Sequence, residues 1–343
     1  MCAIIKFLYL LQIVMRQRKK NKSNHLRSPA IKITIALLAI WFIYDRAFKR
    51  ENIQVLFDEY KNIFLDRSKF LLLIVIVLLM LMNWSVEAVK WKIMISKIQR
   101  ITFLKSLEAV FSGLTISFFT PNRIGEYAGR IFHLSPSHRM KAVLITVMEN
   151  LSQLLVTVIA GSISLIFYLR MFTHINTYFF AAAVVLLIAF VSGCTFLFLN
   201  VSFLEIILRR IRWTKSWLQY TEVFSYYSYR ELVNVILLAA VRYFIFTSQF
   251  YLLLVLFGIR IPYPVALLLI SMIYYVMSLV PTIALTEIGV RGAVAVFFLG
   301  QITDQPIEIL NSTLSLWLIN LVIPALIGTV FIFMFNLEKA KAA

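Results

Sequence analysis

Long unbroken apolar runs dominate this chain, and what interrupts them is clustered charge rather than polar alternation. From Phe70 to about Ala88 the sequence is almost purely Leu, Ile, Val and Met. Val143 to Leu169, Tyr178 to Leu199, Val233 to Phe257 and Ile309 to Phe335 have the same character, the last built around Pro324. Each is long enough, as a helix, to cross a hydrocarbon layer of about 30 Å. A shorter run from about Ala30 to Tyr44 adds a sixth span, with Lys32 near its start able to snorkel toward the headgroups. Two further apolar arms, Ser106 to Phe119 and Val265 to Val280, are too short for a comfortable crossing and end against Pro121 and Pro281. Short arms that stop at proline suit re-entrant hairpins, whose irregular backbone is tolerated only where protein or water covers it. The pattern predicts an all-α polytopic membrane protein with about six full spans plus two re-entrant helical hairpins.

The turn after the first arm concentrates polar residues. Phe118 to Leu134 reads FFTPNRIGEYAGRIFHL. Pro121 disfavours the α region at Thr120 and so breaks the preceding segment, while Gly125 and Gly129 allow another backbone or a ligand to come close. If the chain is helical from Ile124, then Arg123, Glu126, Arg130 and His133 recur at spacings of three, four and three and share one face. The second arm leads into VPTIALTEIGVRGAVAVFF, Val280 to Phe298, with Gly289 to Leu299 as its returning limb. There Glu287 stands four before Arg291, as Glu126 stands four before Arg130, with Gly289 and Gly292 close by. Glu placed N-terminal to Arg at this spacing is the favourable order for a helical ion pair. The two hairpins, each flanked by spans, give opposite orientations to the two halves, the inverted-repeat plan of many secondary transporters.

Other polar groups sit inside the spans. Glu149, Asn150 and Gln153 lie in the run from Val143, and Arg242 and Gln249 in the run from Val233; such groups must face protein or water rather than lipid. Glu149 and Arg242, each the lone charge of its span, are expected to pair or to meet a shared water-filled cavity. Residues 201 to 232 alternate a polar stripe of Glu205, Arg209, Arg212, Ser216 and Gln219 with an apolar face, which suits either an interfacial helix anchored by Trp213 and Trp217 or a solvated connector. Residues 45 to 69 read as a solvated connection. The expected organisation is a basic cytoplasmic or interfacial segment, residues 1–29, and one transmembrane domain, 30–343. Within it, repeat 1 covers about 70–169, the linker about 200–232 and repeat 2 about 233–335. Basic residues follow the apolar start of the chain rather than precede it, the wrong order for a cleavable signal peptide.

Composition sharpens this picture. Of the 343 residues 61% are hydrophobic, and the mean hydropathy is +0.86. The net charge of +18 could suggest nucleic acid. The basic residues fall in short loops, however, where topology and anionic headgroups account for them, so no nucleic-acid partner is expected. Placing residues 1–29, 90–105, 121–141, 200–233 and 336–343 in the cytoplasm collects 23 of the 34 Lys and Arg residues, against 8 in the other connections. Both termini are then cytoplasmic and the location is the cell membrane. On this layout Trp84 and Trp91 mark the headgroup level and Lys90 the loop beyond it. Cys2 and Cys194 have no metal-ligand spacing. The residues suggest no catalytic set, no metal and no cofactor.

The turn from Pro121 to Arg130, Pro-x-Arg-x-Gly-Glu-x-x-x-Arg, and the Pro followed by Gly-Val-Arg from Pro281 to Arg291 resemble the membrane region of the lysylphosphatidylglycerol synthase family. The likeness covers most of the chain after about residue 65. It implies a stand-alone, flippase-like integral membrane protein without the family's aminoacyltransferase domain, moving a phospholipid or lipid-linked anionic substrate between leaflets. Two positions depart from the family pattern: Glu287 stands where the first of two glycines is usual, with Gly292 in place of the following acid, and Glu149 is followed by Asn150 rather than arginine. Arg123, Arg130, Arg291 and Arg242, with Glu126, Glu287 and Glu149, are the expected substrate-binding groups, since a planar guanidinium grips phosphate oxygens in bidentate fashion. Pro121, Gly125, Gly129, Pro281 and Gly289 are the expected hairpin formers. Alternatives are that the Glu–Arg pairs are structural, that the protein is a lipid headgroup transferase using Glu126 or His133 as base, or that it is a scaffold for a separate lipid-modifying enzyme.

Overall fold

The computed structural model describes residues 60–61, 63–118, 120, 123–200, 222–280 and 284–342, with side chains at all of these except 284–285 and 335–342. The expected span from Ala30 to Tyr44, the basic N-terminal segment, Pro121, Pro281 and the stretch 201–221 lie outside the described residues.

Among the described residues ten α-helices follow one another: α1 (Arg67–Ile95), α2 (Phe103–Phe118), α3 (Gly125–Ile131), α4 (Arg139–Phe172), α5 (Thr177–Leu199), α6 (Tyr229–Leu256), α7 (Tyr263–Leu279), α8 (Ala284–Leu299), α9 (Pro306–Trp317) and α10 (Ile323–Ala342). Among the described residues there is no strand. Five stretches among the described residues are long and apolar enough to span a membrane: Arg67–Ile95, Pro136–Phe172, Thr177–Leu199, Tyr229–Leu256 and Pro306–Met334. They match five of the six expected spans. The chain is an all-α polytopic membrane protein.

The helices gather into two compact units. One comprises the described residues up to Met80 with Ser117–Ile124 and Phe246–Pro324; the other comprises Leu81–Ile116, Gly125–Ile245 and Ala325–Ala343.

In the first unit, α7, α8 and α9 succeed one another. Gln249 is fully buried; its side chain donates to the Ile76 carbonyl at 2.9 Å and accepts from Asn320 Nδ2 at 2.8 Å. That chain of amides satisfies Gln249 and the Asn320 amide nitrogen in an apolar core, while Asn320 Oδ1 is buried without a hydrogen-bond partner. The last span is interrupted by a π-turn at Leu318–Val322. Pro324 has no N–H to give the Asn320 carbonyl, and a wider turn relieves the clash of its ring with the preceding turn.

In the second unit, α1 extends past the expected end at Ala88 to Ile95. Trp84, Glu87, Trp91 and Met94 recur at helical spacing and are all buried. The expectation that Trp84 and Trp91 mark the headgroup level is therefore corrected. Trp91 Nε1 donates to Thr146 Oγ1 of α4 at 3.2 Å, and Trp84 stands edge-on to Phe111 of α2 with centroids 6.0 Å apart. Lys90, expected in the following loop, is 0% exposed. Helix α3 returns antiparallel along α2, backbone against backbone. A Cβ on Gly129 would lie 2.6 Å from Gly113 N and from Ser112 O, and one on Gly125 would lie 2.6 Å from the Ile116 carbonyl carbon. These two positions accept only glycine without displacement, as their place in the sequence motif suggested. Helix α5 presents Tyr178, Phe179 and Leu186 outward, which suits lipid. At the far end of α1, Tyr227 Oη donates to the Met94 carbonyl at 2.7 Å, satisfying a helix-terminal acceptor. Burial there pushes the phenol's pKa up.

Candidate functional site

Among the described residues two clusters of charge stand out, one in each unit.

The cluster of the second unit centres on Arg130 in the last turn of α3. Its Nη1 donates to Glu149 Oε2 of α4 at 2.5 Å, and its Nη2 donates to Glu87 Oε1 of α1 at 2.8 Å. The same Nη2 bonds Glu126 one turn earlier on α3, so the pair read from the sequence forms. Lys90 Nζ lies 2.9 Å from Glu87 Oε2 and 3.8 Å from Glu149 Oε1. Arg242 of α6 closes the set, its Nη1 3.3 Å from Glu87 Oε2 and 3.3 Å from Gln153 Oε1. Its guanidinium lies 5.2 Å from the Trp84 ring centroid. Four helices thus contribute three acids and three bases. Glu149 and Arg242 do share one polar environment, each through an intermediary: Arg130 for the first, Glu87 for the second. Charge so deep is tolerable only when paired, and deleting one member strands the others.

Lys90 was missed as a site residue because the apolar run was read as ending at Ala88, and Glu87 because it was passed over as the last turn of that run. The available signal was an acid and a base three apart, hence on one helical face, at the end of a span otherwise free of charge.

The cluster of the first unit is smaller. Arg123 precedes α3 rather than belonging to it, with φ 57. The expected common face of Arg123, Glu126, Arg130 and His133 is therefore corrected. The helix begins at Gly125, and the left-handed turn at Arg123 sends that side chain elsewhere. His133 bonds Ser112 Oγ at 3.0 Å. Arg123 Nη2 donates to both oxygens of Glu287, at 3.1 Å and 2.9 Å. Arg291, one turn along α8, also bonds Glu287, giving the second expected pair. Two guanidinium groups thus share one carboxylate. Glu287 is 8% exposed and Arg291 10%, whereas 43% of the Arg123 side chain is exposed. Gly289 faces open space, with nothing within 4 Å of where a Cβ would sit, so it makes no close backbone approach. Among the described residues no group of three His, Cys, Asp or Glu side chains is placed to hold a metal ion.

These features define a polytopic α-helical membrane protein carrying ion clusters inside its helical layer. Residues 30–328 match the family model described as the lysylphosphatidylglycerol synthase TM region, and the chain belongs to that family. A search of curated proteins finds no match to the chain.

Proposed function

We propose that the protein is flippase-like: it moves a phospholipid or lipid-linked anionic substrate between the leaflets of the cell membrane, with both termini cytoplasmic and the two proline-broken hairpins re-entering the membrane as an inverted repeat. The observation that supports this reading is the sharing of Glu287 by Arg123 and Arg291, with Arg123 substantially exposed. Among the described residues two guanidinium groups meet on this one carboxylate, and the exposed guanidinium fork of Arg123 matches the oxygens of an anionic headgroup phosphate. In Arg130, by contrast, the terminal nitrogens are engaged by Glu87, Glu126 and Glu149. Its role is to hold α3, and with it the turn that carries Arg123. Membership of a family named for a lipid synthase region agrees with a lipid substrate.

The test is reconstitution into liposomes containing a fluorescent phosphatidylglycerol, followed by its accessibility to an external reducing quencher. At matched amounts of folded protein, Arg123→Gln and Arg291→Gln are expected to slow lipid movement by about tenfold or more, since a charge-assisted contact contributes about 1.5–3 kcal/mol. Arg123→Lys should also be impaired, because a point ammonium does not reproduce the bidentate contact. Wild-type rates for both Gln variants would overturn the reading.

A further inference from the structure

The geometry of the smaller cluster assigns a second role to Glu287. We infer that its carboxylate is a built-in counter-anion, occupying Arg123 until a lipid phosphate displaces it; this rests on the reading above that Arg123 meets an anionic headgroup.

A carboxylate and a phosphate present the same pair of oxygens to a guanidinium, and Glu287 presents both of its oxygens to one nitrogen of Arg123. The two arginines are not equivalent. Arg291 lies on the same helix four residues on and is nearly buried, so its pairing with Glu287 is local. Arg123 comes from a segment 164 positions away in sequence and is the exposed member. When a phosphate oxygen takes Arg123, Glu287 keeps Arg291 and is never left as an isolated buried anion, which would be costly. The exchange therefore swaps one anion for another on a single guanidinium. No bond is made or broken and no proton is required.

An internal competitor lowers apparent affinity by the fraction of time it occupies the site; if Arg123 rests on Glu287 about nine-tenths of the time, freeing it tightens binding about tenfold. Binding is measured on the purified full chain in detergent by native mass spectrometry, titrating dioleoyl phosphatidylglycerol with or without inorganic phosphate. Glu287→Gln is expected to bind the lipid about tenfold tighter while its maximal translocation rate falls, because release now limits turnover. Glu287→Asp keeps the charge but is one methylene too short to serve both arginines, and should tighten binding in the same direction if the Gln variant fails to fold. Arg123→Gln should bind weakly, and adding Glu287→Gln to it should restore nothing. Displacement of the lipid by inorganic phosphate would identify the phosphate group as what is read. Failure to displace would identify the whole lipid headgroup, and either result supports the exchange. Unchanged or weaker lipid binding by a folded Glu287 variant overturns it. If Arg123→Gln and Arg291→Gln both move lipid normally, the transport reading itself falls. If Arg123→Gln is defective while the folded Glu287 variants bind as wild type, the counter-anion alone falls.

Discussion

Replacing Arg130 by leucine removes the cation on which Glu87, Glu126 and Glu149 converge. Lys90 and Arg242 remain, and both already lean on Glu87. Glu149 would keep only Lys90, 3.8 Å away. Breaking a buried pair by removing one partner costs about 3–5 kcal/mol. With three carboxylates affected, Arg130→Leu is expected at the upper end of that range. Arg130→Lys retains the charge, but a single ammonium cannot span acids on three helices. Losing one or two charge-assisted hydrogen bonds at about 1.5–3 kcal/mol each should place it between wild type and Arg130→Leu. The double variant Arg130→Leu with Glu149→Leu deletes one charge of each sign and should recover about 1–3 kcal/mol of the additive loss. Thermal unfolding in detergent, followed by the folded fraction in fluorescence-detected size exclusion, orders these proteins together with the Glu149→Leu single variant that the sum requires. The folded Arg130→Lys fraction should still move lipid in the liposome assay, unlike Arg123→Lys. Wild-type thermal stability of Arg130→Leu, or a double variant as unstable as the sum of its parts, would refute the view that this network holds the helices together.

Three other expectations follow from the same geometry. Gly129→Ala would drive a methyl group into the backbone of α2 and should destabilise by about 1–3 kcal/mol, whereas Gly289→Ala meets open space and should be neutral or stabilising by up to about 1 kcal/mol; the two melting curves side by side decide this. Asp66 Oδ1 accepts from the backbone N–H groups of Ser68 at 2.8 Å and Lys69 at 3.4 Å, and these bonds, with one from the Ser68 hydroxyl, hold its carboxyl below the usual carboxylate range. A lowered folded pKa means the cap is complete above about pH 4, the unfolded value, and is lost as pH falls through the folded one. Amide exchange protection at Ser68 and Lys69 should therefore drop in acid, and in Asp66→Ala at neutral pH; unchanged protection would contradict the cap. In a background lacking Cys2 and Cys194, cysteines at Ser23, Ser137 and Lys341 should be labelled only from the cytoplasmic side and one at Asp304 only from outside. External labelling at Ser137 would remove the proposed inverted repeat.

Much of the helical layout was legible because membrane-length apolar runs admit few other structures. The pairs Glu126–Arg130 and Glu287–Arg291 were legible because i, i+4 spacing fixes proximity on any helix. What failed depended on position within a helix rather than on spacing. Lys90 and Trp91 follow the apolar run in sequence, yet α1 carries them onward into an inward face, and hydropathy cannot tell a lysine that leaves the membrane from one held by acids on its own helix and on α4. Arg123 failed for a different reason. Its positive φ is a backbone choice rare in non-glycine residues, so extrapolating the α3 period backwards by two residues put the side chain on the wrong face. The partnership of Arg123 with Glu287 was not legible at all, since nothing local links residues 164 positions apart.

Membrane voltage acts on net charge, at about 2.3 kcal/mol per elementary charge for each 100 mV traversed. The network of Glu87, Glu126 and Glu149 with Lys90, Arg130 and Arg242, when all six are ionised, sums to zero. A helix group that carried it bodily across part of the bilayer would therefore do no electrical work on its account. Substituting any one of the six by a neutral residue would leave an uncompensated charge, and the position of those helices would then respond to the resting potential of the cell. On this view, what the sixfold balance preserves is indifference to voltage.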